Sequence, residues 1–264
     1  ALGPLGGCLR ADAPGSVRAL VLMWGDEDFW RTWGALEHCV RTGESAARHL
    51  FGAENAFARY AADPRLGAVF NAGMTVLSAT TAAAVVAAYD FSGLARVVDV
   101  GGGQGRLIAA ILRANPGLRG TLFDLPSVVE GAPALLAEAG VADRCEVVGG
   151  DMFEAVPGAG DLYVLSRVVH DWEDARAAAV LRNCRRAMHG QARLVLVERV
   201  LPDRVEPVPA AQPVMLSDLN MMVRTGGRER TGGDFAALLA RAGLRLVRVV
   251  PTGGPVSAVE AVPA

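Results

Sequence analysis

The chain has 264 residues, 52% of them hydrophobic and 20% charged, with a formal net charge of -2. That length can bury a large core and allows one or two domains. The near-neutral balance gives no general attraction to nucleic acid or to an anionic membrane. No run reads as long and apolar enough to cross a bilayer, and no basic-then-apolar leader opens the sequence, so the expected location is the cytoplasm. All 26 basic residues are arginine, which excludes a P-loop lysine and a lysine Schiff base. The scattered cysteines (Cys8, Cys39, Cys145, Cys184) form no C-x-x-C pair, so reduced thiols and no zinc site are expected.

Residues 1–89 show helical periodicity, punctuated near Pro4, Gly6, Pro14 and Gly15. The stretch "FWRTWGALEHCV" places Phe29, Trp30, Trp33, Leu36 and Val40 on one helical face. "DPRLGAVFNAGMTVLSATTAAAVVAAY" reads as a helix with Asp63 as N-cap and Pro64 in its first turn. From about Tyr89 short β-rich runs alternate with helices, the pattern of an α/β domain with a mostly parallel, Rossmann-like sheet. The expected strands are 96–100, 119–123, 144–148, 161–166, 192–199, 245–250 and 256–262. "PTGG" joins the last two closely enough for a hairpin, which makes the final strand antiparallel. "PDRVEPVPAAQPV" (202–214) is the one long irregular connection and is expected to lie over a cleft.

After the first strand, "VVDVGGGQG" sets Gly101, Gly103 and Gly105 in a G-x-G-x-G turn leading into a helix from Arg106. Glycine there permits positive φ and lets a ligand touch the backbone. The dinucleotide fingerprint wants Gly or Ala where Arg106 stands, which counts against a nicotinamide cofactor. Asp124, ending the next strand in "FDLP" with Leu125 beside it, can bind both hydroxyls of a ribose. Asp151 and Met152, in "GGDMF" after the third strand, can bracket the edge and face of an adenine. Asp99, inside the first strand, holds the glycine turn or meets a ligand amine. Ligands of such sheets bind at these carboxyl ends.

"VVDVGGGQG", "FDLP", "GGDMF", "HDWEDA", "LVLVERVLP" and "GGRERT" occur in an order and spacing that resembles the small-molecule O-methyltransferases, the group of plant phenolic and bacterial natural-product tailoring enzymes. The resemblance covers essentially the whole chain. It implies a class I methyltransferase sheet at 90–264 holding S-adenosylmethionine, with S-adenosylhomocysteine as product. It also implies that 1–89 is the end of a dimerisation domain plus linker helices lining the substrate cavity. A winged-helix segment that supports dimerisation precedes "ALGPLGGCLR" in the family, and most of it is missing from the sequence given; a homodimer is still expected. Ser166 takes a place where relatives contact the donor, some of them through lysine. "FNAGM" nominates Asn71 and Met74 for the aromatic small-molecule acceptor, and "LSDLNMM" nominates Asp218, Asn220 and Met221, although methionines at helical spacing are commonly core.

His170, in "VVHDWEDA", stands at a strand-to-helix junction on the ligand-binding edge, and position and resemblance together make it the general base. An imidazole suits proton removal near neutral pH. Full transfer from a phenol with pKa about 10 to a histidine at about 6.5 is uphill by roughly 5 kcal/mol, so the base needs help. By resemblance Glu198 and Glu229 flank it and stabilise the imidazolium, with Asp171 bracing the junction; on residues alone, Glu198 is a strand-end acid and Glu229 one charge of "RERT". The expected activity is methyl transfer to a hydroxyl, phenolic by preference, of an aromatic or polyketide-like metabolite. Alternatives are hydroxylation or decarboxylation on the same fold, an NAD-dependent dehydrogenase, or a regulatory protein that only senses the adenosyl ligand. Asp151, Asp171 and Asp174 suggest no compact oxygen cage, so no catalytic metal is expected.

Overall fold

The computed structural model describes residues 3–206 and 208–264, so the first two residues of "ALGPLGGCLR" and Pro207 of the 202–214 connection lie outside the described residues. The chain divides into two compact units, the first running to Thr80 and including Met222–Gly226, the second comprising Thr81–Met221 and Gly227–Ala264.

The first unit is helical: α1 (Pro4–Gly7), α2 (Arg18–Trp24), α3 (Glu27–Gly34), α4 (Leu36–Thr42), α5 (Ala46–Phe51), α6 (Ala56–Ala62) and the start of α7 (Pro64–Ala88). Local chemistry sets these boundaries. Asp26, Ser45 and Asn55 cap the N-termini of α3, α5 and α6 through their side chains, satisfying amides that have no partner within the helix. Asp63 takes the amides of Arg65 and Leu66 on one oxygen, opening α7 as expected. Gly43 and Gly52 end α4 and α5 in the left-handed conformation that favours glycine. The apolar face expected over 29–40 is broken, because Ala35 separates α3 from α4. Trp30 and Val40 consequently remain 67% and 63% exposed.

The helix α7 overturns one expectation. At 25 residues, with a mean hydropathy of 1.5 in its most apolar window, it is long and apolar enough to cross a membrane by length and composition alone. Alanine, valine and threonine spread over many turns produce this value, with no dense leucine run to signal it. Its C-terminal turns supply Ala82 and Val85 to the core beneath the sheet of the second unit, together with Tyr89 and Phe91. That burial is why the compact units divide at Thr80, nine residues before the change of texture near Tyr89.

The second unit carries seven paired strands: β1 (Arg96–Val100), β2 (Arg119–Asp124), β3 (Cys145–Gly149), β4 (Leu162–Ser166), β5 (Arg193–Glu198), β8 (Leu244–Pro251) and β9 (Ser257–Pro263). They lie in the order β3-β2-β1-β4-β5-β9-β8. All neighbours are parallel except the pairs made by β9, which runs antiparallel to both β5 and β8. The Rossmann-like α/β fold and the antiparallel last strand are as expected. Helices α8 (Arg106–Ala114), α9 (Pro126–Val129), α10 (Ala132–Glu138), α11 (Asp174–Ala187) and α13 (Gly232–Ala240) belong to this unit, as does α12 (Gln212–Arg224) up to Met221. The strands are apolar on both faces, as helices packed on both sides require: Val97 and Leu122 enter one core cluster, Val98 and Leu165 the other.

Two short strands were not expected. β6 (Val200–Leu201) pairs in parallel with β7 (Arg230–Thr231), so the residues just after Glu198 lie beside those just after Glu229. The irregular connection after β6 is also shorter than expected, since a 3-10 turn forms at Pro209–Ala211 and α12 starts at Gln212. In the sheet order, the chain runs outward from β1 through β2 to β3 on one side and then crosses over to β4 on the other. The carboxyl ends of β1 and β4 therefore frame the switch point at which such sheets bind ligands.

Candidate active site

At the end of β4, Arg167 adopts a left-handed φ of 58° while its amide still pairs with Val197 of β5 at 3.0 Å. The chain then bends into a 3-10 turn, Val169–Asp171. Three groups hold that turn. Glu198, fully buried at the end of β5, accepts the amides of Val168 and Val169 on one oxygen at 3.0 and 2.9 Å. Arg230, also fully buried, donates to the carbonyls of Val169 and Trp172 at 2.8 and 2.9 Å and to Asp174 at 2.9 Å. Gly227 passes so close that a Cβ there would lie 2.0 Å from the carbonyl oxygen of His170. The second glycine of "GGRERT" is thus a steric requirement of this crossing.

The turn buries the imidazole of His170 against carboxylates. Nδ1 lies 3.2 Å from Glu229 Oε1 and 3.4 Å from Glu198 Oε2, while Nε2 is 3.8 Å from Asp171 Oδ2. Ser217 donates its hydroxyl to the same Glu229 oxygen at 2.7 Å, and Asp218 accepts the Glu229 amide at 2.9 Å. Burial opposes charge on the ring, but Glu198, Asp171 and Glu229 outweigh it and raise the His170 pKa to about 9. Burial lifts Asp171 to about 7 against the pull of His170. It also raises Glu198, whereas for Glu229 burial is outweighed by the sum of the hydrogen bond and charge of His170, the Ser217 hydrogen bond and the charge of Arg199, which draws it below its ordinary value. A raised imidazole value means that the folded state binds the proton more tightly than the unfolded chain. This contribution to stability is fully present below about pH 6.5 and is lost as pH rises through about 9.

Arginines neutralise much of the surrounding acid. Asp174, one of the acids considered for a metal, is bound by Arg228 and Arg230 at 2.9 Å each and by Arg241 at 3.8 Å. His170, Glu198 and Glu229 offer ligand atoms within 4.8 Å of one another. Nδ1, however, already faces both carboxylates, an arrangement suited to an imidazolium.

The glycine turn lies on the same edge. Gly101, Gly103 and Gly105 have φ of 68°, 61° and 88°, and a Cβ on Gly101 would fall 2.8 Å from the side chain of Val168, two residues before His170. A Cβ on Gly103 would meet nothing within 4 Å, which leaves open backbone for a ligand. Asp124 accepts the Gly103 amide on one oxygen and the Leu125 amide on the other, at 2.8 and 2.7 Å. Each oxygen keeps a lone pair for a ribose hydroxyl. Leu125 exposes 46% of its surface beside it. Asp151 caps its own turn through the Phe153 amide at 2.8 Å, and Asn183 holds the Met152 carbonyl at 2.8 Å. Ser166 ends β4, paired with Val197. Asp99 is wholly buried under Gly102, and neither of its oxygens has a hydrogen-bond partner among the described residues. Burial, reinforced by Asp124, lifts its pKa to about 7. Open glycine backbone at Gly103 and the braced carboxylate of Asp124 fit the amino-acid part and the ribose of an adenosyl donor.

Of the residues nominated for the acceptor, Asn71 and Met74 belong to the first unit and Asp218, Asn220 and Met221 to the second. Asp218 is engaged with Glu229 as described, and Met221 is buried. Ser217 and Arg230 were not singled out in the sequence. A serine inside "MLSDLN" and an arginine inside "RERT" carry no mark of their own until the fold brings them to Glu229 and to the 169–171 turn.

Comparison with known proteins places this geometry in context. Residues 33–245 match the family described as O-methyltransferase domain. The phenazine O-methyltransferase PhzM of Lysobacter antibioticus is 45% identical over 98% of this chain and 74% of its own. The crystal structure of LaPhzM superposes with a TM-score of 0.94 at 45% identity, covering 100% of this chain and 78% of that one. The O-methyltransferase NcsB1 from neocarzinostatin biosynthesis, solved with S-adenosylmethionine and 2-hydroxy-5-methyl naphthoic acid, gives a TM-score of 0.86 at 32% identity over 100% of this chain and 78% of its own. These likenesses lend no support to the hydroxylase, decarboxylase or dehydrogenase alternatives.

Replacing Arg230 with methionine strips four acceptors, the carbonyls of Val169, Trp172 and Arg228 and the Asp174 carboxylate, of a buried partner and is expected to lower the unfolding free energy by about 3 kcal/mol in urea denaturation. Arg228→Met, at a half-exposed position, is expected to cost less than about 1 kcal/mol.

Proposed function

The chain belongs to the O-methyltransferase family and uses S-adenosylmethionine, and from that premise we propose that it methylates a hydroxyl of a fused aromatic or polyketide-like natural product, with His170 as general base. The observation that carries this reading is the buried imidazole held with Nδ1 against two carboxylates at the carboxyl edge of the sheet. Phenazine and naphthoic acid in the names of two similar proteins support an aromatic acceptor.

When bound, S-adenosylmethionine supplies an electrophilic methyl carbon on a sulfonium. The glycine turn with Asp99, Asp124, Leu125, Asp151, Met152 and Ser166 holds it at the carboxyl ends of β1 to β4. On the other side His170 removes the acceptor's hydroxyl proton at Nε2. With the imidazole raised to about 9, transfer from a phenol at about 10 is uphill by only about 1.4 kcal/mol. Glu229 carries the charge that stabilises the imidazolium, and Glu198 fixes the backbone that presents the ring. The residues assigned to acceptor binding in this reading are Asn71 and Met74 of the first unit and Asp218, Asn220 and Met221 of the second. The enzyme works in the cytoplasm as a homodimer, whose contact covers apolar side chains of the first unit such as Trp24, Trp30 and Val40, between 46% and 67% exposed in the single chain.

Incubation with the donor and a panel of hydroxylated phenazines and naphthoates is expected to give a product heavier by one methylene, detected by mass spectrometry. His170→Ala is expected to lower kcat about 10²- to 10⁴-fold while donor affinity stays unchanged; undiminished turnover removes His170 from the base role. Sedimentation equilibrium is expected to show two chains per particle, and a well-behaved monomer at micromolar concentration removes the dimer.

A further inference from the structure

The first unit carries a cluster of metal-ligating side chains that methyl transfer does not use. α4 ends at left-handed Gly43, and Ser45 starts α5 almost at once. This tight return lays His49 of α5 over His38 of α4, their rings stacked 3.6 Å apart between centroids and 17° from parallel. Glu44, in the turn itself, brings one carboxylate oxygen to 3.0 Å from Nε2 of His38. Its other oxygen is held by Arg48 at 3.4 Å. The two imidazoles also line a surface cavity of about 430 Å³ together with Arg31 and Leu50.

We propose that His38, Glu44 and His49 form a binding site for a borderline-soft divalent cation of the zinc class. Each of the three offers one ligand atom, and these atoms lie within 4.8 Å of one another. Zinc bound to imidazole nitrogen at about 2.0–2.1 Å and to carboxylate oxygen at similar length sets neighbouring donors about 3.3 Å apart in a tetrahedron. The two stacked rings must tilt apart for both in-plane nitrogen lone pairs to converge on one ion, and water from the open cavity completes the coordination. The donor set also selects the ion. Two imidazoles and one carboxylate shared with Arg48, beside the cation of Arg31, give too little negative charge for calcium or magnesium, which depend on oxygen ligands. Nitrogen donors suit zinc. The three ligands follow no metal motif in sequence; the glycine turn between two short helices is what gathers them. Bound there, the ion ties α4 to α5.

The test is calorimetric titration of zinc chloride into the chelator-treated enzyme. Wild type and His170→Ala are both expected to take up one equivalent at this site with the same affinity. His49→Ala and Glu44→Gln are each expected to bind about tenfold more weakly or not at all. Both substitutions lie at accessible positions, and circular dichroism verifies that the helices remain. Zinc is also expected to raise the melting temperature of wild type and not that of His49→Ala. Absence of zinc uptake by wild type at about 100 μM, unchanged affinity in both variants, or loss of binding in His170→Ala alone overturns the proposal, the last by moving the ion to His170, Glu198 and Glu229.

Discussion

A single imidazole held 3.2 and 3.4 Å from two buried carboxylates governs the rest of this structure. Burying three ionisable groups together is costly unless each charge has a partner and each turn of backbone is fixed. The chain meets that demand with groups drawn from three separated stretches. Glu198 comes from the end of β5, Glu229 follows a double glycine, and Ser217 and Asp218 reach Glu229 from α12. Some polar demand stays unmet: among the described residues the second oxygens of Glu198 and Glu229 are buried without hydrogen bonds, that of Glu198 lying 3.4 Å from Nδ1.

The sheet makes this arrangement possible. Parallel strands end together, so the glycine turn after β1 and the base turn after β4 share one edge, in contact through Gly101 and Val168. One side of the edge carries the glycine turn, open at Gly103, with the Asp124 carboxylate beside it. The other side presents an imidazole. In-line displacement needs an electrophilic carbon between a leaving group and a nucleophile, and the proposed reading assigns one turn to the donor and the other to the base. The burial of Arg230 follows from the same logic, since the turn carrying the base exposes carbonyls to the interior that only a fork of donors can satisfy.

Much of this was legible in the sequence because it depends on local signals. Alternation of valine-rich runs with helical periodicity marks the strands, and the glycines at 101–105 mark a turn that only glycine tolerates. "PTGG" announced the antiparallel end of the sheet. Asp63 announced the start of α7, where its side chain takes the amides of Arg65 and Leu66. What stayed hidden depends on long-range assembly. Arg230 looks like a solvated charge in "RERT", and its full burial follows from a turn some sixty residues earlier. Ser217 has no motif. The break at Ala35 escaped the helical pattern because periodicity continues across two short helices. The apolar length of α7 was missed because alanine and threonine dilute it without interrupting it.

The most direct measurement of the central claim is the pH dependence of kcat/KM with the donor saturating. An imidazole raised to about 9 must lose its proton before it can act, so the rate is predicted to climb about tenfold per pH unit from 7 and to level off near 9. Glu229→Gln is predicted to move that break downward by removing the charge that holds the proton. A profile already flat at pH 6.5, or one unmoved by Glu229→Gln, contradicts the account.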